Sequence, residues 1–199
     1  MTARSLEPST PRGEATRQRV LEAAERVFGE KGYYGASVTE ITRAAGVAQG
    51  TFYLYFRGKK EIFLDLVDAI GQRVLSSTLR ASRSGSGFVQ AQRDGFGAFF
   101  DLAGEYRHIY RIIQECDRVD PLTFRRFYQT LADGYAKTAA DAMERGEIER
   151  SDPEVVAFAL LGVGHFVAMR YLLWGEAMPD GAGEAAIAFV QAGLRPTGR

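Results

Sequence analysis

The stretch Ser37-Val38-Thr39-Glu40-Ile41-Thr42-Arg43-Ala44-Ala45-Gly46-Val47-Ala48-Gln49-Gly50-Thr51-Phe52-Tyr53-Leu54-Tyr55-Phe56-Arg57-Gly58-Lys59-Lys60 decides the fold. Ser37 and Glu40 have capping-box spacing, which predicts a helix beginning just after Ser37. Val38, Ile41 and Ala45 give that helix one apolar stripe. Gly46 supplies the backbone freedom of a sharp turn, with Val47 as a plug beneath it. A second short helix is predicted from about residue 49 to residue 56. Two helices joined by a short turn containing glycine form a helix-turn-helix.

At 100° per residue, Phe52 and Phe56 of the second helix fall together as a buried seam. Gly50, Thr51 and Leu54 point the other way, and Tyr53 and Tyr55 flank the seam. A helix with that layout suits a major groove, its outward residues meeting base edges and its hydroxyls donating to phosphates. Lys59 and Lys60, at the start of the next helix, add phosphate-seeking charge. The bland alternative makes both tyrosines ordinary core-edge residues with wet tips. The turn, the tyrosines and the lysines together favour the groove. The expected DNA-binding set is Ser37, Thr39, Arg43, Gln49, Gly50, Thr51, Tyr53, Leu54, Tyr55 and Lys59. Gly50 and Leu54 offer little hydrogen bonding, so base reading falls on Thr51, Gln49 and the first helix of the motif.

Ile41, Ala45-Gly46-Val47, Gly50-Thr51-Phe52-Tyr53, Tyr55-Phe56, Lys59 and Ile62-Phe63 together resemble the tetracycline-repressor (TetR) family of transcriptional regulators. Thr16-Arg17, Ala24, Phe28 and Gly32-Tyr33 resemble that family's first helix. Ala36 and Thr42 depart from it, standing where the family usually has Thr and Ala. The resemblance covers about the first third of the chain. It implies an all-α fold, with an N-terminal three-helix head carrying the helix-turn-helix and a C-terminal helical bundle for ligand binding and dimerisation.

Composition agrees with this. In 199 residues, 46% are hydrophobic and 25% charged, as in an ordinary soluble globular protein. The net charge is zero, but it is unevenly spread. Residues 1–60 hold ten Lys/Arg against six Asp/Glu, a balance of +4, and residues 61–199 hold fifteen against nineteen, a balance of −4. A basic head on an acidic body suits DNA binding through one end. Cys116 is the single cysteine, and His108 and His165 lack ligand spacing, so no disulfide framework, metal site or cofactor is expected. The arginines near the start are followed by no apolar run, so a reducing cytoplasm is the expected compartment.

The expected divisions are a disordered arm at 1–13, a helix-turn-helix domain at 14–58 and a sensing and dimerisation domain at 59–199. The arm is read as a solvated tail, although Arg4 and Arg12 could add charge near DNA. A first helix is predicted from about Ala15 to Lys31, its apolar face made by Val20, Leu21, Ala24, Val27 and Phe28 and its end by Gly32. Arg17 and Arg19 near its start could touch phosphates. A long helix from near Lys59 to about Arg80 would link head and body. Ser82 to Gly87 reads as a flexible break, and not as a phosphate loop, because no Lys-Ser/Thr follows it and no strand precedes it. Further helices are expected over 88–103, 105–116, 122–145, from Pro153, and over 183–194, with Asp152 capping the helix at Pro153.

Residues 155–169 contain no Lys, Arg, Asp or Glu. That run is shorter than the roughly 18 apolar residues of a membrane span, so no membrane is expected, and a helix apolar on all sides should be covered on all sides. Gly162, Gly164 and Ala168 allow close helix approach. With the alanine-rich last helix, this predicts a four-helix homodimer interface including Phe158, Gly162, Ala168, Phe189 and Ala192, as the family resemblance also implies. An intrachain core is the other reading.

The body is rich in rings, among them Tyr106, Phe124, Phe158 and Trp174. TetR-like proteins keep an apolar cavity there, which implies a ligand set of Phe96, Phe99, Phe100, Tyr110, Ile113, Phe127, Tyr128, Phe166 and Arg170. Plain core remains the alternative for each ring. Arg170 is either ion-paired with Asp101, Glu105 or Glu115, or an anchor for an anionic ligand; His165 is read as a core histidine. The function expected is that of a repressor bound as a homodimer to a palindromic double-stranded operator and released by a small apolar or amphipathic effector. A DNA-binding dimer governed by a protein partner or by concentration is the alternative. No catalytic constellation is present to support an enzyme.

Overall fold

The structure, a computed structural model, describes residues 10–83, 87–105, 108–174, 179 and 181–194. Among these the regular elements are all helical: α1 (Pro11–Gly35), α2 (Val38–Ala45), α3 (Gln49–Tyr53), α4 (Lys59–Ser82), α5 (Phe88–Glu105), α6 (His108–Val119), α7 (Pro121–Glu144), α8 (Pro153–Ala168) continuing as a π turn (Met169–Leu173), and α9 (Ala182–Leu194). They form two compact units. The first comprises the chain to Ile70 together with His108–Arg125, and the second Gly71–Arg107 with the chain from Arg126.

This division differs from a head ending at residue 58. The first turns of α4 bury Ile62, Phe63, Leu66 and Val67 in the first unit, and α6 packs on α1 there too. Residues 11–13 also depart from the expected arm. Thr10 caps them, its hydroxyl accepting from the Gly13 N–H at 3.2 Å, and Pro11 sits in the first helical turn, where its missing N–H costs nothing. Residues 1–9, with Arg4, lie outside the described residues, as do 84–86 of the expected break and Tyr106.

Inside the first unit Val20, Ala24, Phe28, Ile41, Phe52, Phe56, Ile62 and Phe63 are fully buried. The Phe28 and Phe63 rings meet edge to face at 5.1 Å. In the second unit a core of Phe88, Phe96, Met143, Ile148, Val156, Leu160, Ile187 and Val190 joins α5, α7, α8 and α9. The start of α8 follows the sequence signal: Asp152 accepts from the N–H groups of Glu154 (2.8 Å) and Val155 (3.4 Å), with Pro153 in the first turn.

The π turn changes one expectation. It carries the helix on to Tyr171, and the 19 residues of Pro153–Tyr171 are long and apolar enough, by length and composition, to cross a membrane. Within the chain this helix is also far from covered on all sides, since Val155, Phe158 and Phe166 are exposed.

Candidate nucleic-acid interface

The reading pair is built from local signals. Ser37 caps α2 by accepting from the Glu40 N–H, while the Glu40 carboxylate accepts from the Ser37 N–H at 3.0 Å, completing the capping box. Lys31 also pairs with Glu40, and this hydrogen bond, followed by that from Ser37, brings the Glu40 carboxyl down to about 2. Gly46 closes α2 in the left-handed conformation, φ +66°, and Val47 then donates back to the Thr42 carbonyl at 3.1 Å.

The helix α3 is shorter than expected. Its regular part ends at Tyr53, after which Tyr55 and Phe56 both donate to the Phe52 carbonyl, at 3.0 Å each, in an unwinding turn. The seam is as predicted, with Phe52 and Phe56 fully buried and 5.5 Å apart. Ser37, Thr39, Arg43, Gln49, Gly50, Tyr53 and Leu54 are exposed, and Thr51 and Tyr55 are partly covered. Seven of the ten expected contact residues thus stand on the open surface of the first unit.

Lys59 has a different setting. Its ammonium donates to the Tyr33 and Ala36 carbonyls at 2.8 Å each and lies 4.6 Å from the centre of the Tyr33 ring. Two of its three donors are used to tie the α1–α2 connection to α4, so a phosphate would have to share this group. Lys60 pairs with Asp120 at 3.1 Å. Arg17 is likewise engaged, donating to Asp65 at 2.6 Å over the Phe56 ring. Burial is the largest influence on Asp65 and raises its pKa despite Arg17. Arg57, absent from the expected set, is exposed in the turn before α4.

The expected effector residues do not form one group. Tyr110 and Ile113 of α6 belong to the first unit. In the second unit, Phe96 and Phe100 lie 6.0 Å apart, and Phe99 is 5.6 Å from Phe100. A Cβ on Gly164 would stand 3.2 Å from Phe96 and 3.5 Å from Phe99, so the bare glycine lets α8 close on these rings. The next residue, His165, meets Tyr128 at 6.1 Å, and Tyr128 meets Phe127 at 5.1 Å. Burial lowers the pKa of His165 and pushes the Tyr128 phenol up to about 12. Both are therefore neutral near pH 7. Phe166 instead faces outward, 62% exposed. The Arg170 guanidinium lies over the rings of Tyr171 (5.3 Å) and Trp174 (6.0 Å), while Glu115, one acid considered for it, holds α1.

A separate cleft of about 510 Å³ opens between α4, α5 and α7, and none of the expected ring residues lines it. Its lining includes Tyr135, whose hydroxyl donates to Thr78 Oγ1 at 2.9 Å. Glu147, also in the lining, accepts from the Phe88 N–H at 2.5 Å and pairs with Arg145 at 2.5 Å. No group of three or more His, Cys, Asp or Glu that could hold a metal occurs among the described residues.

Of the expected dimer residues, Phe158 and Phe189 are 43% and 74% exposed, and Ala192 is exposed. Ala168 is fully buried within the chain, so it belongs to the intrachain core and not to an outer face. Val155, Phe158, Gly162 and Phe166 follow helical spacing along α8, which packs on α9.

Residues 20–66 match the model of the bacterial regulatory proteins of the tetR family. The activator FasR of Mycolicibacterium smegmatis is 28% identical over 187 residues, spanning 92% of this chain and 84% of that protein. The regulator YdgC of Bacillus subtilis is 40% identical over 67 residues, a match that spans 34% of each chain. The crystal structure of the regulator FadR from Bacillus subtilis, in complex with stearoyl-CoA, superposes with a TM-score of 0.76 at 16% identity, covering 89% of this chain and 99% of that one. These relatives are transcriptional regulators and not enzymes. With the capped α2, the Gly46 turn and the open face of α3 in place, the chain belongs to the TetR family of helix-turn-helix transcriptional regulators.

Proposed function

We propose that this regulator is a ligand-responsive repressor that binds a palindromic operator as a homodimer in the cytoplasm and leaves it when a small amphipathic effector binds the body. The observation that carries the reading is the α2–α3 pair, with Phe52 and Phe56 buried beneath it and Thr39, Arg43, Gln49 and Tyr53 left open. Gln49, Thr51 and Tyr53 are suited to base edges and phosphates, and Arg43 and Arg57 to the backbone. The exposed apolar stripes of α8 and α9 supply a face for a second copy, and two-fold symmetry then calls for half-sites one or more helical turns apart.

The rings around Gly164 and His165 support an apolar effector. A long-chain acyl-CoA is the first probe, because FadR, which shares the fold, was crystallised with stearoyl-CoA. Coupling of about 1–3 kcal/mol would lower operator affinity 5- to 150-fold. The test selects duplexes from a random pool with the purified protein and measures affinity with and without stearoyl-CoA and a panel of apolar compounds. Selection of an inverted repeat, with affinity falling when a compound is added, is expected. Tight binding unmoved by any compound would favour control by concentration or by a protein partner. A promoter reporter sets the sign, since FasR is named an activator: expression should rise when this protein is deleted.

A further inference from the structure

The helix α6 belongs to the DNA-reading unit although Glu115 lies 82 residues beyond Tyr33. Three side chains on one face of α6, at 108, 111 and 115, reach the last turns of α1. His108 Nε2 lies 3.0 Å from Glu25 Oε1. Arg111 Nη1 donates to the carbonyls of Gly29 (3.1 Å) and Glu30 (2.7 Å). The Glu115 carboxylate accepts the backbone N–H of Tyr33.

Two of these side chains fit a bare position on α1. A Cβ on Gly29 would come within 2.6 Å of His108 Cβ. One on Gly32 would run into the Glu115 carboxylate. The chemistry is that of a helix cap delivered from outside. Gly29 and Glu30 stand just before the break at Gly32, where helix carbonyls run short of partners and carry negative partial charge, and Arg111 supplies donors and positive charge to both. Gly32, at φ +73°, breaks the helix, and Glu115 takes the next amide.

The short connection 32–36 leads directly to Ser37, the cap of α2. It is held by Lys59 through the Tyr33 and Ala36 carbonyls and by α6 through the Tyr33 N–H. The direction in which α2 leaves α1 is fixed between those holds. We propose that Arg111 and Glu115 are positioning residues for operator recognition, setting the helix-turn-helix through the end of α1 without touching DNA. This rests on the DNA-binding reading of α2 and α3.

The test uses the full chain, an operator selected from random duplexes by the wild type, and a scrambled duplex of equal length. Arg111→Ala and Glu115→Leu are expected to weaken operator binding tenfold or more. Binding to the scrambled duplex should stay within about twofold and its salt dependence should not change, because the phosphate contacts remain. Glu115→Gln keeps an acceptor for the Tyr33 N–H and should retain most of the affinity. Hydrogen exchange at Tyr33 should speed up in Glu115→Leu and not in Glu115→Gln. Should Glu115→Leu fail to fold, Arg111→Ala, which removes the donors to the Gly29 and Glu30 carbonyls, carries the test alone, with the same loss expected on the operator and not on the scrambled duplex. Unchanged operator affinity with accelerated exchange at Tyr33 would overturn the proposal. So would an equal loss on both duplexes, which marks a merely structural role. A wild type that selects no duplex would overturn the DNA-binding reading itself, and the proposal with it.

Discussion

In the first unit, the residues that begin and end α2 and seat α3 lie within a few positions of those helices. Ser37 and Glu40 begin α2, Gly46 ends it, and Phe52 and Phe56 seat α3. In the second unit the helices pack on partners far away in sequence, α5 on α8 and α9. The α8 helix exposes Val155, Phe158 and Phe166, Trp174 is exposed just after the π turn, and α9 exposes Phe189. The first unit leaves Tyr34, Tyr53, Leu54 and Leu122 exposed as separate residues, while the second leaves an apolar stripe along α8, the face proposed for a second copy.

The largest effect that separates the two belongs to Phe52→Ala. Removing a fully buried ring costs about 3–5 kcal/mol. Amide exchange should accelerate across α1–α3 while α8 and α9 keep their protection. Equal acceleration in both units would mean that they do not hold their stability separately. Next comes Phe189→Ala, at about 2 kcal/mol or more if this ring anchors the dimer. Sedimentation velocity should then show monomer at concentrations where the wild type is dimeric. An unaltered dimer would move the interface away from α9.

Gly46→Ala tests the head more finely. Nothing stands within 4 Å of an added Cβ, so the whole cost is that of φ +66° in a residue with a side chain, about 1–2 kcal/mol. Thermal melting measures it, and a neutral result would show that the turn relaxes freely.

The smallest effect is the acid dependence of the capping box. The Glu40 carboxyl is brought down to about 2 in the folded chain, below its ordinary value of 4.5. Its contribution is therefore complete above pH 4.5 and fades as pH falls toward 2. The wild type should lose stability relative to Glu40→Gln across that window, as acid titration followed by circular dichroism would show. Parallel titrations would remove Glu40 from the account.

These effects follow how much the sequence reveals. Capping, glycine turns and the Phe52–Phe56 seam are short-range, so the helix-turn-helix was legible down to single residues. The end of α3 was not, because the Phe56 seam continues at helical spacing through a turn that has stopped being regular helix. Lys59 read as a free cation because nothing in its neighbourhood shows that the carbonyls of Tyr33 and Ala36 will face it. The place of α6 was hidden for the same reason. Ile109, Ile112 and Ile113 mark an apolar face, yet their spacing is silent on which unit they enter, and Tyr110 and Ile113 were assigned to the body. A clue lay in Gly29 and Gly32, three apart, opposite side chains at 108 and 115. The rings of the body leave core and cavity undecided from the sequence, since both use the same residues.

The central claim is that two copies of this chain read one palindromic duplex. Native mass spectrometry of the full chain mixed with its selected duplex tests it directly. The account predicts a dimer in the free protein and two chains on each duplex, with free duplex reappearing when a bound effector adds mass to the dimer. A monomer in solution with one chain per duplex would contradict it, and would remove the palindrome along with the interface of α8 and α9.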